Sequence, residues 1–192
     1  TGVLNVQDFE TLNLGVTGAN TIDASKLSGV TTLSVYGASP AGKQTITNLG
    51  ADVSVSVGKK DTVFDDGVDI DVTLADETGT ADAVTFKIDN RASALTDADI
   101  LTDSTIEKVT LDLLDDDTAN AAEITLTDAD AATVVLKGGF ADASLTLGTL
   151  SPDTLTVDAS DLLADFNFTA GAVASGMTVT AGAAQVNTDL TL

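Results

Sequence analysis

Asp61, Asp65, Asp66, Asp69 and Asp71 fall within eleven residues of one another. Asp69 and Asp71 sit in the segment Val68-Asp69-Ile70-Asp71-Val72-Thr73-Leu74, whose strict alternation is that of a half-buried strand. The two carboxylates then share one face, about 7 Å apart along it, and repel each other. A calcium ion takes six to eight oxygens from carboxylates, carbonyls and water, so it would convert that repulsion into a cross-link. A second set, Asp115, Asp116 and Asp117 with Asp128 and Asp130, brackets an intervening strand in the manner of a hairpin clamp. The candidate metal ligands are thus Asp65, Asp66, Asp69, Asp71, Asp115, Asp116, Asp117, Asp128 and Asp130, and Ca2+ is the candidate cofactor. No EF-hand spacing occurs, and the same acids would serve equally well as solvated turn residues that keep strand edges from aggregating.

Other chemistries find less material. The chain has no Cys and no His, so the common nucleophile and base pairs, thiolate metal sites and disulfides are all excluded. No Gly-x-Ser-x-Gly segment or phosphate-cradling glycine loop is present. Paired carboxylates can hydrolyse glycosides, but with no Trp and one Tyr a sugar platform is hard to build. The expectation is a protein that is not an enzyme, with a carbohydrate-active enzyme the most distant alternative. Asn167-Phe168-Thr169 matches the N-glycosylation pattern, a short motif that chance often supplies.

The formal charge is −22, from 30 acids against 8 bases. Of the acids 26 are Asp, against seven Lys and the single Arg91, and short carboxylates favour turns and hard-cation ligation over helices. Such a polyanion lacks the clustered bases that nucleic acid requires. No apolar run reaches the length of a membrane span, and no leader of basic then apolar residues opens at Thr1, so the expectation is a soluble fragment or mature form without membrane insertion. Hydrophobic residues reach 43% with aromatics at only 4%, so an aliphatic core must hold the fold.

The elements that must position these acids are strands. Period-two alternation recurs at Val53–Val57, Val68–Leu74 and Val84–Ile88, and again at 109–113, 124–127, 133–136, 145–147, 155–157, 166–168 and 177–179. Threonine is frequent in them because a β-branched residue suits the wet face of a pleated sheet. Gly, Asn, Asp and Ala gather between the strands, as in Asn48-Leu49-Gly50 and Lys137-Gly138-Gly139. Helices are few or absent, with 92–102 and 160–165 the only candidates. The predicted fold is all-β: an elongated β-solenoid or a β-sandwich-like stack of short strands.

Internal similarity supports stacking. Phe9–Leu14 matches Ile106–Leu111 at an offset of 97, and Thr32–Gly37 matches Thr133–Gly138 at an offset of 101. Residues 1–192 then form one elongated domain, with repeat-like halves 1–58 and 105–192 around an acidic β segment, 59–104. The tag Asp23-Ala24-Ser25-Lys26-Leu27 returns as Asp158-Ala159-Ser160-Asp161-Leu162. It reads as a turn in which Asp accepts from a backbone amide two residues on, repeated because the architecture repeats.

The segments Phe9–Leu14, Thr21–Leu27, Thr31–Gly37 and Thr45–Gly50 together resemble the repeats of bacterial surface-layer proteins and related type-I-secreted, RTX-like surface proteins. That resemblance implies a β-rich, extracellular, cell-surface protein that self-associates into a lattice and uses calcium. It further implies contact with a cell-surface polysaccharide through another region. The glycine-rich nonapeptide calcium repeat is absent, so calcium rests on this chain's own aspartates. The expected function is a structural, self-assembling unit of a bacterial surface layer; the alternative is an extracellular adhesin or a filament-forming β module.

Overall fold

The computed structural model describes residues 6–36, 42–58, 69–89, 95–102, 106–114, 122–127, 132–139, 144–150, 154–170, 176–182 and 188–191. In chain order the strands begin β1 (Val6–Gln7), β2 (Thr11–Gly15), β3 (Asn20–Asp23), β4 (Leu27–Ser28), β5 (Thr32–Tyr36), β6 (Gln44–Leu49), β7 (Ser54–Gly58), β8 (Asp69–Leu74) and β9 (Ala83–Asp89). They continue with β10 (Leu95–Thr102), β11 (Lys108–Leu113), β12 (Ala122–Thr127), β13 (Thr133–Gly138), β14 (Ser144–Leu150), β15 (Thr156–Leu162), β16 (Asp165–Ala170), β17 (Thr178–Ala181) and β18 (Thr188–Thr191). One 3-10 turn, Ala24–Lys26, lies among them.

From β2 onward, with β4 set aside, the chain deals its strands alternately to two sheets. The first has the order β17-β15-β13-β11-β9-β7-β5-β2 and the second β18-β16-β14-β12-β10-β8-β6-β3. The short β1 and β4 pair separately. Every described pairing is parallel, so each coil lays one strand on each sheet and climbs one step, which makes the fold a β-solenoid. Seven steps of about 4.8 Å give each ladder a length of roughly 34 Å.

Alternation fixes which side chains fill the interior. In β8 and β9 the apolar residues Ile70, Val72, Leu74, Val84, Phe86 and Ile88 are buried while the residues between them are half-exposed. Parallel register then stacks like on like: Leu12, Leu33, Val55, Phe86 and Leu111 form one inward column across five strands of the first sheet. Each member removes aliphatic or aromatic surface from water, at about 25 cal/mol per Å2, which is how a chain with few aromatics builds a core. Ser34, Gln44, Ser56, Asp89 and Thr154 are buried polar residues among those described, and Gln44 is the most deeply placed. Gln44 is fully buried, donates to the carbonyls of Gly18 (2.8 Å) and Gly42 (2.7 Å), and stands between Asn20 and the column of Ile70, Ile100 and Leu126.

Corners need unusual backbone. Gly138 has φ +75, and a Cβ there would lie 2.3 Å from the Leu113 carbonyl, so the turn out of β13 requires glycine.

Strands expected from alternation are present, but three expectations change. Residues 92–102 and 160–165, read as helix candidates, contribute β10, the end of β15 and the start of β16. Their Asp and Thr content opposes helix, and the neighbouring rungs supply the ladder partners that strands need. The strand Ile124–Thr127 is not part of a hairpin, because β12 pairs in parallel with β10 and β14 and its sequence neighbours β11 and β13 belong to the opposite sheet; the aspartates of the expected clamp lie outside the described residues. The Asp-Ala-Ser-x-Leu tag also does not mark equivalent corners: Asp23 ends β3 in the second sheet, whereas Asp158 lies in β15 in the first. The offsets of 97 and 101 join strands four rungs apart in the first sheet, β2 with β11 and β5 with β13, but two residues out of register, since the ladder carries Leu12 to Leu111 and Leu33 to Leu136, offsets of 99 and 103.

Candidate functional site

The acids that sequence analysis singled out divide in two. Asp65, Asp66, Asp115, Asp116, Asp117, Asp128 and Asp130 lie outside the described residues. Asp69 and Asp71 are half-exposed on the outer face of β8, with Ile70 between them pointing inward. The alternation placed both correctly.

Two neighbours of this pair were not foreseen. Asp99 of β10 is in register with Asp69, which brings two acidic positions within one strand spacing of about 4.8 Å. Like charges facing each other across a ladder destabilise it, and the helical reading of 92–102 hid this one. The other neighbour is Lys43, whose Nζ lies 2.7 Å from Asp71 Oδ2 with both side chains partly exposed. Thus the second sheet's outer face brings Asp69, Asp71 and Asp99 together, with Lys43 paired to Asp71. Among the described residues no three His, Cys, Asp or Glu side chains converge as a metal cage. Two carboxylates on an open face supply part of a calcium shell; carbonyls and water would have to complete it.

Other aspartates act on the backbone. Asp23 Oδ1 accepts from the Ser25 amide (3.1 Å), the Ser25 hydroxyl (2.7 Å) and Asn48 Nδ2 (3.0 Å). Asp76 Oδ1 accepts in the same way from the Thr78 amide (3.2 Å) and hydroxyl (2.7 Å), and Asp158 Oδ1 from the Ser160 amide (3.1 Å). In each case bonds to the ionised form hold the carboxyl below the usual aspartate value. The chief cause is the hydroxyl of Ser25, Thr78 or Ser160, and the backbone amide of the same residue adds to it. Between β8 and β9, Glu77 accepts from the Leu74 amide, Asp82 from the Gly79 amide, and Glu107 from the Asp82 amide at 2.7 Å. These six acids therefore serve as acceptors for backbone amides, Asp158 within β15 and the others at or between strand ends.

The first sheet's outer face differs. Lys87, Asp112, Lys137 and Asp161 occupy one column on successive strands, alternating in sign, and Lys137 Nζ lies 3.2 Å from Asp112 Oδ2. Asn167 of the glycosylation pattern sits in β16 between Thr146 and Asp189.

A concavity lies at the first rung. Leu12, Leu14, Ile22 and Leu27 line a cavity of about 460 Å3 with Asn20 and Lys26 on its border. Its apolar residues are only half-buried, whereas their register partners Leu33, Val35 and Ile46 are completely buried. It is the interior of the solenoid, open at its end.

No family model matches the chain, and neither a curated protein nor a solved structure matches it. No helix among the described residues is long and apolar enough to cross a membrane.

Proposed function

We propose that this chain is a structural, self-assembling unit of a bacterial cell-surface layer, extracellular and non-enzymatic, consolidated by calcium. The observation that carries the reading is the solenoid itself, a stack whose interior is filled by aliphatic columns and whose two outer faces are ladders of Thr, Ser, Asp and Lys in register. Such a body offers repeated, flat, polar surfaces for contact between copies. The patch of Asp69, Asp71 and Asp99 supports calcium as the agent that lets two acidic surfaces approach, because at −22 the copies otherwise repel. Attachment to a cell-surface polysaccharide belongs, in this reading, to another region.

Electron microscopy of the purified chain at fixed ionic strength, with and without calcium, tests the proposal. Ordered sheets that appear with calcium and disperse on chelation are expected. Isolated particles under both conditions would overturn it.

A further inference from the structure

Among the described residues β2 and β3 are the edge strands at one end of the stack, and β17 and β18 at the other. Within the first sheet β2 and β17 run in the same sense, and within the second β3 and β18 do, because every described pairing in each sheet is parallel. A parallel ladder looks the same after each step, so an end-to-end copy meets the strand direction and the cross-section that the chain itself would have supplied.

Register specifies the contact. Thr11 pairs with Thr32 and Thr32 with Ser54; farther along the same outward column Thr85 pairs with Thr110, Thr110 with Val135, Val135 with Asp158, and Asp158 with Thr180. The column thus begins and ends on an exposed threonine. One residue on, the inward position is half-buried Leu12, which lines the apolar cavity, at the first rung and the small, exposed Ala181 at the last. No acid meets an acid at these positions. The edge of β2 also presents a row of backbone amides and carbonyls that a strand can complete.

We propose that the open first rung is the docking site for the last rung of a second copy, with β17 adding to β2 so that Thr180 of one copy lies beside Thr11 of the next. The contact is heterologous and does not close on itself, so it generates rows. This inference rests on the self-association reading and names its contact. Because each copy carries −22, the rows form only when salt or a divalent cation screens the repulsion.

The chain has no cysteine, which makes disulfide trapping clean. Neighbouring strands place paired Cα atoms within the distance a disulfide spans. Thr11→Cys and Thr180→Cys proteins, mixed and oxidised at about 0.15 M salt with calcium, are expected to give mixed dimers at least about tenfold over either protein alone. Thr85→Cys replaces Thr180→Cys as a control on the same outer face, and Leu12→Asp added to the Thr11→Cys chain should abolish the link while circular dichroism remains that of the parent. Thr11→Cys dimers formed as readily without the partner, or equal trapping by Thr85→Cys, would overturn the end-to-end contact. So would monomers whose Thr11→Cys thiol resists alkylation, which would mean that something else covers the edge. Assemblies that form without the link would overturn this contact and leave self-association standing; a mixture that remains monomeric, with a reactive thiol, at every concentration and calcium level would remove both.

Discussion

Lys43 Nζ and Asp71 Oδ2 lie 2.7 Å apart on the outer face of the second sheet, beside the register pair Asp69 and Asp99. The ion pair is partly exposed and contributes at most about 1 kcal/mol, so a divalent cation of modest affinity can compete with it.

That competition gives the calcium prediction. Calcium, compared with magnesium and sodium at matched ionic strength, is expected to raise the melting temperature, and binding confined to the native state adds about 2.7 kcal/mol at a hundred times Kd. The double change Asp69→Asn with Asp71→Asn, or the triple change of Asp115, Asp116 and Asp117 to Asn, should remove the calcium-specific part. If Asp71 ligates, Lys43→Met should tighten binding by several-fold in calorimetry. Equal stabilisation by sodium would reduce all these residues to a solvated acidic face.

Strand register makes a second prediction. Ile70 is fully buried and Thr73 is half-exposed on the same strand. Ile70→Asp should cost at least about 4 kcal/mol, through a lost core side chain and a charge without water. Thr73→Asp should cost about 1 kcal/mol. Urea unfolding of the two variants measures the difference, and similar midpoints would contradict the orientation of β8.

Acid should weaken the local bonds that three aspartates accept. The carboxyls of Asp23, Asp76 and Asp158 are depressed in the folded chain, so their contribution is present above the unfolded aspartate value near 3.9 and disappears as pH falls through the lower folded values. The urea midpoint should therefore drop below about pH 4. Asp158→Asn keeps the acceptor oxygen but not the titration, and should flatten its share of the profile; Asp158→Ala should lower the midpoint at neutral pH as well. Carboxyl chemical shifts followed by NMR give the individual titrations.

Glycines separate by backbone. Gly138→Ala forces a side chain into φ +75 against the Leu113 carbonyl and should cost about 1–3 kcal/mol. Gly18→Ala meets nothing within 4 Å and should remain within about 0.5 kcal/mol of the parent in thermal unfolding. Comparable losses at both would show that the β13 corner is looser than its geometry.

Local chemistry was legible in the residues themselves. Alternation is a property of a few neighbouring positions, so the inward set from Val55 to Ile88 and the shared face of Asp69 and Asp71 follow from sequence alone. The turn chemistry of Asp23 and Asp158 is equally local, since each carboxylate reaches only two residues on. What a strand pairs with is not local. Parallel and antiparallel strands alternate alike, so nothing in 115–130 reveals that β12 joins β10 and β14 rather than forming a hairpin. Closure of the coils alone turned 95–102 into a strand, because the rungs on either side supply its hydrogen bonds. It also set Asp99 beside Asp69 and Lys43 against Asp71 across 28 residues of chain, pairings decided by the length of each coil and not by any residue within it.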